Sequence, residues 1–207
     1  EMQGSLSGVS ARLGVDSGYR RLWKTAFPEA GYDTTRIVSA VAAYVRSLVR
    51  LDSRFDQFMR GDSTALSRQE IRGFNLFMGK ARCGTCHYMP LFNGNFPPMY
   101  NRTEAEVIGT PGAPGSGVPD TDEGQFAILP ALFLHHAFKT PTVRHAGRTA
   151  PYMHNGVFAT LEQVVDFYDD GGGVGEHEQL GNQTLPADSL HLGREEKTAL
   201  IAFIHSL

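Results

Sequence analysis

The chain has 207 residues, 41% of them hydrophobic and 20% charged, which is enough apolar material to build a core and excludes a disordered segment. That length suits one large domain or two small ones. The formal charge of -3 and the pI near 6.2 come without a block of like charge, which argues against a nucleic-acid footprint or a polybasic membrane patch and leaves solution or protein partners.

No apolar run approaches the roughly 20 residues that a bilayer span requires, and residues 1–10 show no signal-peptide pattern. A soluble chain with any export signal already removed is the expectation. Over residues 34–51, Ile37, Val38, Val41, Tyr44, Val45 and Leu48 recur at helical spacing, with Asp33 or Thr34 as N-cap. A second helix is expected from Ser67, where Ser67-Arg68-Gln69-Glu70 reads as a capping box, through Ile71, Phe74, Phe77 and Met78. It leads directly into the chain's two cysteines.

Residues 88–129 are rich in Gly, Pro, Asn and Asp, with breakers at Pro97-Pro98 and between Thr110 and Gly115. So long an irregular stretch in a compact domain calls for a function, such as wrapping a bound group. Helical periodicity returns over residues 160–168 (Leu161, Val164, Val165, Tyr168) and stops at Gly171-Gly172-Gly173. A last helix is expected over residues 193–207, with Leu200, Ile201, Phe203 and Ile204 on its apolar face. With no repeat and no alternating strand pattern, the fold class is mainly α with long irregular loops.

The haem reading comes from Cys83-Gly84-Thr85-Cys86-His87. Two thiols about one helical turn apart reach the two vinyl groups of haem, and the adjacent imidazole then faces the iron. A thioredoxin-like site would need a βαβ setting, and a zinc site would need a second ligand pair; neither is present in the sequence. Cys83 and Cys86 are therefore assigned to covalent haem c and His87 to its iron. For the sixth iron position the chain offers Met89, Met99, Met153, Tyr168, His135, His136, His145 and His154, and the residue types alone do not choose among them.

Three further segments carry a resemblance. They are Phe138-Lys139-Thr140-Pro141-Thr142-Val143-Arg144, Thr149-Ala150-Pro151-Tyr152-Met153-His154-Asn155-Gly156, and Thr160-Leu161-Glu162-Gln163-Val164-Val165. With Ala65-Leu66-Ser67 and Asp52-Ser53-Arg54-Phe55-Asp56, they resemble the bacterial di-haem cytochrome c peroxidase and MauG superfamily over essentially the whole chain. In that family the peroxidases place a Met on the distal side of this haem and the MauG-type members a Tyr, and the matching position here is Tyr168. The resemblance thus implies His87/Tyr168 ligation. A phenolate is a hard anionic donor that favours ferric and higher-valent iron, unlike a thioether.

The resemblance implies more. Thr149 and Pro151 match backbone ligands of a calcium ion that the family holds between its two haem domains, and backbone oxygens suit such a hard cation. Glu1 matches the family's acid/base residue over the peroxide-reacting haem. Residues 1–60 then resemble the C-terminal part of the first haem domain without its own haem motif, and residues 61–207 the c-type haem domain. The helix over residues 34–51 would otherwise expose an apolar face, the mark of a missing partner surface, here a first-domain segment carrying a second haem. Arg144 is a candidate partner for a haem propionate, His154 a residue near the haem but not a ligand, and His135 and His136 solvent-facing.

The function implied is a periplasmic MauG-like di-haem oxidoreductase that uses hydrogen peroxide to oxidise a protein side chain or a small reductant. This chain would supply the six-coordinate haem. The alternatives are a cytochrome c peroxidase fed by a small cytochrome, and a non-enzymatic electron-transfer haem module.

Overall fold

A computed structural model describes residues 5–29, 31–177 and 179–207. The chain divides into two compact units, the first ending at Leu51 and the second spanning Asp52–Leu207.

The first unit holds α1 (Leu6–Val15), α2 (Ser17–Ala26) and α3 (Thr34–Ser47). Each helix starts on a side-chain cap: Ser5 Oγ accepts from Gly8 N, Asp16 from Tyr19 N and Asp33 from Arg36 N. Trp23 anchors a small core, its ring 4.8 Å from that of Phe27 and 4.9 Å from that of Tyr32. The helix expected over residues 34–51 is present but ends four residues earlier, at Ser47. Of its apolar positions Ile37 is buried, whereas Val38, Val41, Tyr44, Val45 and Leu48 are exposed. The helix forms because its cap and periodicity are local, while its apolar face finds no cover within the described residues.

The second unit begins with α4 (Arg54–Met59), capped reciprocally by Ser53 and Asp56. α4 belongs to this unit, which starts at Asp52. Phe55 is 1% exposed within its core, and the Phe55 backbone N–H donates to Ser206 O at 3.2 Å. The expected second helix is α5 (Arg68–Met78), with its Ser67/Glu70 capping box. α6 (Leu161–Asp169) is capped by Thr160 and Gln163, and a short α7 (Gly172–Gly175) follows it. The last helix is α8 (Arg194–Ile204).

The core lies where α5 crosses α8. Gly73 makes the crossing possible, because a Cβ there would sit 2.0 Å from Ala199 O and 2.7 Å from Phe203 Cβ. Around it Phe55, Phe74, Phe77, Phe92 and Phe203 form a cluster with ring centroids 5.1–5.9 Å apart, mostly tilted or edge-on as the ring quadrupole prefers.

Residues 88–160 are irregular, as their Gly and Pro content predicts, yet pinned. Phe92 and Val107 are buried anchors, and isolated bridges join Tyr88 to Asn93, Asn95 to Thr103, Pro111 to Pro119 and Tyr152 to Phe158. Two short strands, β1 (Ala105–Glu106) and β2 (Phe138–Lys139), pair antiparallel with Glu106 opposite Phe138. Two residues are too few for alternation to register in sequence.

Candidate haem site

α5 ends at Gly79, and Arg82 takes a left-handed conformation (φ 56°) that turns the chain into a single 3-10 turn, Cys83–Thr85. Cys86 N–H and His87 N–H both donate to Cys83 O, at 3.3 and 3.0 Å. This local turn sets Cys83, Cys86 and His87 as the attachment motif needs. Gly84 fits between the cysteines because a Cβ there would lie 2.6 Å from Met78 Sδ.

The His87 ring is oriented from the irregular segments. Its Nδ1 lies 3.0 Å from Pro141 O and 3.2 Å from Phe92 O. With its proton on Nδ1 shared between these carbonyls, Nε2 carries the lone pair, the tautomer a metal-ligating histidine requires. Burial pushes the imidazolium pKa below its ordinary value, and the two carbonyls oppose that effect without reversing it. The neutral imidazole is thus favoured near neutral pH.

Neither cysteine is in a disulfide. Burial pushes the Cys83 thiol up to about 12. Cys86 is raised first by burial and then by the carboxylates of Glu106 and Glu104. Among the described residues no group of three or more His, Cys, Asp or Glu side chains converges as a metal site. Two thiols outside any disulfide and one imidazole with a committed Nδ1 fit covalent haem.

Tyr168, the penultimate residue of α6, is raised above the ordinary phenol value by burial, with further contributions from Cys83, Cys86 and Glu106. Tyr168 is half-buried, as are Cys83 and Cys86, and Glu106 raises both the phenol and the Cys86 thiol. Of the other sixth-ligand candidates, Met153 is half-buried and Met89 packs against the core, whereas Met99 is 73% exposed and His145 is exposed.

Arg144, read from sequence as a propionate partner, is buried and already engaged. It holds Asp56 through two hydrogen bonds, donates from Nε and Nη2 to Pro90 O at 2.9 and 2.7 Å, and lies 5.5 Å from the Phe92 ring centroid. His154 stacks on Phe138 at 3.7 Å and lies 3.5 Å from Asp120 Oδ1. His135 and His136, expected to face solvent, are half-buried instead. Their rings lie 4.0 Å apart, and His136 Nδ1 is 2.8 Å from Asp122 O. Thr149 and Pro151 are exposed, on the turn that follows residues 146–148. Glu1 lies outside the described residues.

Sequence reasoning missed three carboxylates around this site. Glu104 accepts the Tyr88 hydroxyl at 2.9 Å, Glu106 raises both Cys86 and Tyr168, and Asp169 ties α6 to α8. Isolated acids carry no motif that distinguishes them from a solvated surface.

A mainly α fold with a haem-attachment turn at the end of its core helix defines the class: a cytochrome c-type haem protein. Residues 1–64 match the family model for di-haem cytochrome c peroxidase. The chain is 35% identical to the cytochrome-c peroxidase IdrP2 of Denitromonas iodatirespirans, over 96% of this chain and 55% of that protein. It is 31% identical to the methylamine utilization protein MauG of Methylorubrum extorquens, over 100% of this chain and 54% of that protein. A crystal structure of a MauG-like protein associated with microbial copper homeostasis superposes with a TM-score of 0.74 at 29% identity, covering 97% of this chain and 61% of that one. The chain is a relative of the di-haem cytochrome c peroxidase and MauG proteins, and it spans about half the length of the curated relatives it matches.

Proposed function

We propose that this chain supplies the His87/Tyr168 haem of a MauG-like di-haem enzyme, one that uses hydrogen peroxide to oxidise a protein side chain or a small reductant in the periplasm. The observation that carries this reading is the His87 ring, held by Pro141 O and Phe92 O in the tautomer that leaves Nε2 free for iron, together with the match of Tyr168, at the end of α6, to the Tyr position of the MauG-type members. Cys83 and Cys86 would hold haem c through two thioethers, and His87 Nε2 and the deprotonated Tyr168 oxygen would be the protein ligands of its iron. Haem supplies one-electron chemistry when bound. The raised pKa of Tyr168 means that only a nearby cation makes the phenolate favourable at neutral pH, which suits ferric iron.

A second haem belongs, in this reading, to a first-domain segment that covers the exposed α3 face and completes the unit ending at Leu51. Glu1 would be the acid/base residue for peroxide in that domain, a role that requires its carboxyl within hydrogen-bond reach of the oxygen it protonates. Thr149 and Pro151 would offer backbone oxygens to a calcium ion. Each peroxide takes two electrons and two protons to give two waters, so the oxidised partner yields two electrons per turnover.

The test is the ferric spectrum of the haem-loaded protein with and without Tyr168→Phe, alongside a pyridine haemochrome count. A spectrum without the near-infrared sulfur-to-iron band, altered by Tyr168→Phe, is expected. A methionine-type spectrum indifferent to the substitution sinks the reading. The higher identity to the cytochrome-c peroxidase IdrP2 favours a second reading, peroxide reduction with electrons from a small cytochrome. Steady peroxide turnover with a reduced cytochrome as sole donor would select it.

A further inference from the structure

Tyr168 sits one residue before the end of α6, where a helix normally frays. Here the end is held from outside. Asp169, 6% exposed, is engaged through three oxygens: Oδ1 accepts Leu192 N–H at 2.9 Å, Oδ2 accepts Lys197 Nζ at 2.6 Å, and its carbonyl accepts Leu190 N–H at 2.9 Å. Lys197, in the second turn of α8, also donates to Asp166 Oδ1 at 2.7 Å. One ammonium therefore grips α6 at two positions three residues apart, the spacing of neighbours on a helix surface. Leu192 is itself buried in the core cluster, so the grip is referred to the part of the molecule that also carries the cysteine turn.

Resting on the His87/Tyr168 reading, we infer that the Asp169–Lys197 pair is a clamp that fixes the rotation of α6 and thereby aims the Tyr168 hydroxyl. The two residues act through the helix that carries Tyr168, so both are positioning residues. A tyrosyl oxygen stands on the order of 8 Å from the helix axis, so a rotation of roughly 10° carries it more than ~1 Å, enough to break a metal bond. Partners that hold a ligand's orientation are worth about 10- to 100-fold in metal affinity. The buried acceptors of Asp169 explain why an acid follows the tyrosine, and the two-point grip explains why a long cation faces it.

The experiment uses the haem-loaded protein and four variants, read by ferric absorption and EPR with haem content checked by mass. Tyr168→Phe defines the spectral change that loss of the phenol produces. Lys197→Met is expected to move the spectrum at least half of the way to that limit with covalent haem content unchanged, and Lys197→Arg to stay with the parent. Asp169→Asn keeps an acceptor for Leu192 N–H but drops the ion pair, and it should behave like Lys197→Met. Should Asp169→Asn fail to fold, the two Lys197 variants carry the same comparison. A parent-like spectrum in Lys197→Met overturns the clamp and leaves the ligation reading standing. A parent-like spectrum in Tyr168→Phe overturns the ligation reading and the clamp with it.

Discussion

Arg144 and Asp56 form a two-pronged ion pair, Nη1 to Oδ2 at 2.9 Å and Nη2 to Oδ1 at 2.8 Å, that joins residues 88 positions apart. Both side chains are nearly buried, 7% and 11% exposed. The pair anchors α4 to the segment whose Pro141 carbonyl orients His87, so it supports the site as well as the fold.

Breaking the pair from one side leaves an uncompensated charge in the interior. Arg144→Leu is therefore expected to cost about 3–5 kcal/mol of unfolding free energy, measured by denaturant titration. A loss under about 1 kcal/mol, the scale of an exposed pair, would contradict the burial described here.

The same pair gives a pH dependence. Burial alone would raise the Asp56 carboxyl, but hydrogen bonds from Arg144 and Ser53 outweigh it and hold the pKa below the ordinary value of 3.8. A carboxyl with a lower pKa in the folded than in the unfolded chain contributes stability that is complete above the unfolded value and is lost as pH falls through the folded one. The difference in unfolding free energy between the parent and Asp56→Asn should thus be flat above about pH 5 and shrink below about pH 4. A difference that grows on acidification would mean the sign is wrong.

Gly73 is where α5 and α8 come closest. Gly73→Ala forces its methyl against the Ala199 carbonyl, and about 1–3 kcal/mol of destabilisation is expected from overpacking. An exposed helical glycine would instead gain up to about 1 kcal/mol from the same change, so a more stable variant would disprove the close crossing.

Covalent attachment is expected to survive loss of one thiol and not of both. Cys83→Ala and Cys86→Ala should each retain haem on a denaturing gel through a single thioether, and the double variant should release it. Haem retained by the double variant would place the attachment elsewhere.

The exposed face of α3 tests the proposed partner. Val41 and Tyr44 are 58% and 64% exposed, so Val41→Glu and Tyr44→Glu should change the stability of this chain by no more than about 0.5 kcal/mol. Their effect should fall on association with the segment that completes the first unit, measured by pull-down or mass photometry. A stability loss of several kcal/mol would show that the face is covered within the chain.

The sequence was most informative where structure is local. The Cys83–His87 turn, the capping box at Ser67, and the glycine stop after α6 rest on interactions within four residues, so pattern and spacing were enough to place them. The helices α1, α2 and α4 were not anticipated: two are ten residues long and one is six, and short segments carry little periodicity. His135 and His136 read as surface residues because the contacts that half-bury them, with Phe126 for His135 and the Asp122 carbonyl for His136, come from about ten residues away in sequence.

What the tertiary structure alone decided is the set of long-range pairings: Asp56 with Arg144, Asp169 with Lys197, and the His87 ring with the Pro141 carbonyl. Resemblance to a family, and not the pattern of the chain, nominated Tyr168. Composition and spacing determine which elements form, because those depend on neighbouring backbone groups. The interior contacts depend on how α5 and α8 cross, a choice made by the close approach at Gly73 and the aromatic cluster around it.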